Sequence, residues 1–172
     1  MTTGTHDTGA AGGLPPRPGV TSQPSQQPVA AMARGRRRAL PAPVIWGAVV
    51  GVVQAASPVG FWWLAPKTVY ALGLALIAAV YIGFSVADGR WKVIAAECSV
   101  AGLFVVIAAV SVTGSAWLMV AGLAGHGLKD LWQHRTRFVR NTRWWPPFCA
   151  TVDWVAAAIL TTAIVLGVSF HG

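Results

Sequence analysis

"KVIAAECSVAGLFVVIAAVSV", residues 92–112, holds two charged residues in 21 positions: Lys92 at its start and Glu97 inside it. An α-helix rises about 1.5 Å per residue, so about 20 apolar residues cross a hydrocarbon core of about 30 Å. A bilayer offers the backbone no water, and a helix satisfies its own N–H and C=O groups. The stretch therefore reads as a membrane span. Glu97 needs a separate reason, because an ionised side chain at membrane depth costs at least about 2.5 kcal/mol and is usually paired, inward-facing and functional.

Four more apolar stretches flank it, at approximately 44–64, 67–86, 116–134 and 148–169. Gly and Pro punctuate them, in "SPVG" and "LAPK" after the first, "ADGR" and "TGS" on either side of the third, and "WWPPF" at the start of the last. Pro58 kinks or ends the first span, leaving Phe61, Trp62 and Trp63 at an interface. Hydrophobic residues make up 55% of the chain, charged residues only 10%, and the mean hydropathy is +0.57, well away from a soluble balance. The expected fold is all-α, a helical transmembrane bundle of about five spans over residues 44–170, with no separate soluble domain.

Residues 1–43 are rich in Gly, Pro, Ser, Thr and Gln, with too few apolar side chains to offset ordering entropy, and read as a disordered tail. The tail ends in "MARGRRRALPAP", so Met32 is an alternative start. Starting there, the arginines and the first apolar run also fit a signal peptide cleaved after "VQA", which would leave four spans in the same orientation.

Basic residues favour cytoplasmic loops. Arg17, Arg34, Arg36, Arg37 and Arg38 in the tail, Arg90 and Lys92 in the second loop, and Lys129, Arg135, Arg137, Arg140 and Arg143 around the fourth loop fall on one side. Lys67 alone falls opposite, which predicts a cytoplasmic N-terminus, an odd number of spans and an outside C-terminus at His171. The net charge of +8 follows loop parity, which argues against a nucleic-acid partner. Membrane lipids are the expected partners: Arg135, Arg137, Arg140 and Arg143 would meet anionic headgroups at the inner face, with Trp144 and Trp145 at headgroup depth.

Of five acids, Asp7 lies in the tail and Asp88 in a loop, while Glu97, Asp130 and Asp153 lie within or at the edge of spans. Counted from the cytoplasmic ends, Glu97 is about 9 Å deep, Asp153 about 7 Å, Asp130 about 6 Å and His126 about 12 Å. Three helices thus bring ionisable groups to one layer of the cytoplasmic leaflet, with His134 at its rim.

Residues four apart on a helix differ by about 40° in direction, so His126, Asp130 and His134 share one stripe. The two histidines are separated by about 12 Å of rise and cannot hold one metal ion together. A mononuclear site would use Asp130 with His126 or with His134, plus Glu97 or Asp153, a donor set that suits a divalent transition metal such as zinc, iron or manganese. Asp130, His126 and Glu97 are the candidate catalytic residues, and His126, Asp130, His134, Glu97 and Asp153 the candidate ligands. Two readings stay open: a structural or proton-relaying polar network, and a membrane-embedded metal-dependent hydrolase or redox enzyme acting on a lipid or other membrane-soluble substrate. Cys149 is an auxiliary ligand candidate, and Cys98, about 100° around the helix from Glu97, reads as a small apolar residue. Small residues at "GAVVGVV" and "AGLAGHG", with Gly47, Gly51 and Gly122, permit close helix approach and leave homo-oligomerisation open.

The segments "YIGFSVADGR", "KVIAAECSVAGLF", "AGHGLKDLWQHR" and "WWPPFCATVDWVAAAIL" resemble a set of small multi-pass bacterial membrane proteins. Their signatures are His-Gly-x-x-Asp-x-x-x-His and Pro-Pro-Phe-Cys-x-x-x-Asp. The resemblance covers most of residues 44–169. It implies a bacterial plasma membrane and makes Glu97, His126, Asp130, His134, Cys149 and Asp153 features of the set, without supplying an activity.

Overall fold

A computed structural model describes residues 41–141 and 143–170, and the readings placed on residues 1–40, on Thr142 and on His171 lie outside the described residues. The described chain forms five helices and no strand: α1 (Ala42–Gly60), α2 (Pro66–Asp88), α3 (Trp91–Thr113), α4 (Ala116–Thr136) and α5 (Trp145–Val165). They overlie the five apolar stretches, with shifts of a few residues at the ends. The last two residues assigned to the tail, 42 and 43, are already helical.

Local chemistry explains the boundaries. Prolines open α1, α2 and α5 within their first two positions, where no intrahelical N–H bond is lost. Ser115 caps α4 by accepting a hydrogen bond from the Trp117 N–H at 3.3 Å. Gly89 ends α2 in the left-handed region, at φ 77°. Arg137 ends α4 there too, at φ 55°, an uncommon conformation for a residue with a Cβ. Pro58 lies within α1 rather than at its end, and the Ser57 hydroxyl donates to the Gln54 carbonyl at 2.7 Å. That carbonyl is the one a residue with an N–H at position 58 would have bonded, so the serine repairs the ladder the proline breaks.

Successive helices run in opposite directions. Tyr70 on α2 donates to the Ala55 carbonyl of α1 at 2.7 Å. On α4 and α5, His126 meets Asp153, while the Trp154 indole one residue later bonds Ala124, two residues earlier. α1 and α5 are parallel: a Cβ on Gly47 would lie 2.6 Å from the Phe148 carbonyl, and one on Gly51 2.8 Å from that of Val152. Bare glycine faces let these two helices approach backbone to backbone, as the small residues of α1 suggest.

The core is small and tight, with Leu74, Ala78, Ala101, Phe104, Ala108, Met119, Leu123, Ala156 and Leu160 packed together. The outside is apolar instead: Val59, Leu76 and Trp91 are among many large hydrophobic residues more than two-thirds exposed. Exposed apolar surface on this scale fits a membrane protein, and four of the helices are long and apolar enough to cross a membrane. α4 is the exception in composition, because it carries His126, Lys129, Asp130, Gln133 and His134. At 21 residues it is as long as α5, beside which it packs.

Candidate functional site

The polar face of α4 points inward. His126 and Asp130, one turn apart, are both fully buried, as is Asp153 on α5. Gly127 positions α5 against them: a Cβ there would lie 2.5 Å from the Trp154 indole nitrogen, which itself donates to the Ala124 carbonyl at 3.3 Å. With Trp154 seated on that glycine, its neighbour Asp153 faces His126. The His126 Nδ1 is 2.8 Å from Asp153 Oδ2 and 3.6 Å from Asp130 Oδ2. One donor atom from each of the three residues lies within 4.8 Å of the others. Edge-on contacts with Phe104, at 4.9 Å between ring centroids, and Tyr81, at 6.1 Å, hold the imidazole in place.

A second polar layer lies toward the C-terminal end of α4. The Lys129 ammonium is 2.8 Å from Glu97 Oε2 and 3.5 Å from the centre of the Tyr81 ring. Gln133 donates its side-chain N–H to the other oxygen of Glu97. Glu97 is almost fully buried and the Lys129 side chain is 12% exposed, so this layer stands between the His126 centre and the surface. Its charges cancel. Among the described residues, no lysine or arginine pairs directly with Asp130 or Asp153: Lys129, whose charge acts on both from nearby, is engaged with Glu97.

The candidates of the sequence therefore separate into groups. His126, Asp130 and Asp153 converge. Glu97 belongs to the Lys129 pair, so Asp153 takes the place beside His126 for which both acids were candidates. His134 is only half-buried and is not among the converging donors. Cys149 is buried next to Asp130 and Asp153, whereas Cys98 is exposed on the outer face, and both thiols are free.

Arg135, Arg137, Arg140 and Arg143 are all exposed around the α4–α5 loop. Trp144 stacks on Phe148 at 4.6 Å, and Trp145 leans on Phe84 at 5.6 Å. Arg90 and Asp88 tie this loop to the α2–α3 turn. Arg90 grips Asp88 with two bonds of 2.5 and 2.7 Å and donates to the Phe138 carbonyl at 2.6 Å. The Arg140 N–H donates to Asp88 at 2.7 Å. Asp88 is thus a fastener between two connections rather than a free loop charge.

Sequence reasoning missed Tyr81, Lys129 and Gln133 as parts of the site. Lys129 and Gln133 are four residues apart, the same helical spacing that singled out His126 and Asp130, and that was their available signal. Tyr81 carried none beyond being a polar-tipped aromatic in a span. Comparisons of the chain with known protein families, with curated proteins and with solved structures find no match.

Proposed function

We propose that this is a multi-pass integral protein of a bacterial cell membrane whose working part is a buried cation-binding centre, the proton counted among the cations, built from His126, Asp130 and Asp153. All five helices cross, α4 included, with the N-terminus in the cytoplasm and the arginine-rich loop against anionic headgroups. At about 31 Å, 21 residues of helix match the hydrocarbon thickness, and the polar side chains that lower the hydropathy of α4 face its neighbours rather than lipid.

One observation carries this reading. Asp130 and Asp153 are fully buried, and among the described residues one oxygen of Asp153 has no hydrogen-bond partner while Asp130 is met only by the Tyr81 hydroxyl and, at 3.6 Å, by His126 Nδ1. A polar network kept for stability alone is closed, since a half-satisfied one is worse than an apolar core. Spare acceptor capacity on two fully buried carboxylates beside an imidazole is capacity for a guest.

Neutralising the carboxylates tests it. In chelator-treated protein, Asp130→Asn and Asp153→Asn remove a buried charge that has no lysine or arginine of its own, and the amide oxygen at 153 still accepts from His126 Nδ1, so both variants fold with stability equal to or above wild type. A loss of about 3 kcal/mol in either, the size expected when a buried ion pair is broken, would make the centre a structural network.

A second reading, an enzyme acting on a lipid or other membrane-soluble substrate, draws on a cleft of about 210 Å³ between α1, α2 and α5. Val50, Leu76, Ile77 and Val80 line it, and Cys149, beside both aspartates, forms part of its wall. Copurified lipid that disappears when Leu76→Trp fills the cleft would support this reading, and unchanged lipid content would remove it.

A further inference from the structure

We propose that the guest of the His126 centre is a divalent first-row transition metal ion, held by His126 Nδ1 and one oxygen each of Asp130 and Asp153. This rests on the cation-binding reading above and names its cation.

Charge comes first. Lys129 lies 2.8 Å from Glu97, and that pair is neutral. Inside it remain two carboxylates and an imidazole, all fully buried. With both aspartates ionised the centre carries two negative charges, and a buried charge of that kind is tolerated when it is paired or coordinates a metal. One divalent ion brings the sum to zero.

Geometry agrees. Ligand atoms about 2.0 Å from a tetrahedral ion stand about 3.3 Å from one another. The Nδ1 of His126 is 2.8 Å from one aspartate and 3.6 Å from the other, on either side of that value. The donors come from two helices fixed by the Trp154 and Gly127 contact, so closing on an ion needs only small side-chain rotations. Nδ1 faces both carboxylates and is the ligating nitrogen, while Nε2 keeps the proton.

The donor set selects the class of ion. An imidazole nitrogen favours zinc or iron over magnesium and calcium, which prefer all-oxygen shells, and the two carboxylates also admit manganese. Three protein donors leave a fourth position, the pattern of sites that act on a bound molecule rather than merely staple a fold. The thiol of Cys149 lies outside the converging set, and Tyr81 and Phe104 wall the imidazole from the lipid.

The experiment uses the full chain purified in detergent. Metal content is measured by elemental analysis on wild type, Asp130→Asn, Asp153→Asn and His134→Gln. Chelator-treated wild type is then melted with and without added zinc chloride or manganese chloride. The expected result is about one metal equivalent per chain in wild type and His134→Gln and none in the two aspartate variants. Zinc or manganese at 100 times its dissociation constant should raise the melting temperature of stripped wild type by about 5–10 °C. The melt needs no variant to fold. Metal retained equally by both aspartate variants would place the ion elsewhere and overturn the inference. No metal and no shift, with both variants stably folded, would overturn it too, while leaving a proton as the guest. Aspartate variants that fail to fold in metal-free buffer would overturn the cation-binding reading itself.

Discussion

The Lys129–Glu97 pair allows a quantitative test of how the centre is walled off. At 2.8 Å and an effective dielectric of 20, the Coulomb attraction is about 6 kcal/mol, much of it offset by the desolvation of two ions. The net worth of the pair is therefore small, but the cost of orphaning one partner is not, and the two partners differ. Glu97 is 2% exposed and cannot reach water, so Lys129→Met leaves a buried carboxylate with only the Gln133 bond and costs about 3 kcal/mol. Loss of the ammonium from the Tyr81 ring adds about 1 kcal/mol. In Glu97→Gln the ammonium, already partly exposed, extends along its stem toward the headgroups, and the amide keeps the Gln133 bond, so the loss is about 1 kcal/mol. The double variant has neither orphan, and its loss of about 1–2 kcal/mol gives a coupling of about 3–4 kcal/mol. Equilibrium unfolding of the detergent-solubilised protein, followed by the fluorescence of its nine tryptophans, measures all four species. Additivity within about 0.5 kcal/mol, or a Glu97→Gln loss as large as that of Lys129→Met, would refute the reasoning.

Gly51→Leu should cost about 1–3 kcal/mol by forcing α1 off α5, whereas Gly83→Leu, with open space around its Cβ position, should leave the unfolding midpoint unchanged. Asp88→Ala removes the acceptor shared by Arg90 and the Arg140 N–H, so limited trypsinolysis at Arg137 and Arg140 should accelerate while helix content by circular dichroism stays constant. Trp154→Phe loses the bond to the Ala124 carbonyl and part of the packing on Gly127, which should lower stability by about 1 kcal/mol in the same unfolding assay. Single cysteines at Arg137 and Ser169 should react with an impermeant maleimide from opposite faces, the first only after inner-face access, and labelling from the same face would refute the five-span topology.

What was legible in the chain follows from what a one-dimensional pattern encodes. Length and hydropathy report that a helix crosses, and Gly and Pro report where it stops, so the five helices emerged with errors of a few residues. Spacing within one helix reports which side chains share a face, which is why His126 and Asp130 were found together. Separation along one helix is legible as well, because rise per residue is constant. Rotation is not. Counting along the helices puts Glu97 and Asp153 at nearly the same depth, and which of them meets His126 depends on how α3 and α5 pack and turn about their own axes. Contacts between helices set those turns: Gly127 receives the Trp154 ring, and Gly47 and Gly51 receive the backbone of α5. Lys129 was misread for a related reason. A lysine near a span end can reach the headgroups, so its charge reads as topological until a buried carboxylate on another helix claims it. Of the two acids, one is met by a lysine and the other by the histidine. The seating of a single tryptophan on a glycine therefore helps separate the Lys129–Glu97 ion pair from the His126–Asp130–Asp153 cluster.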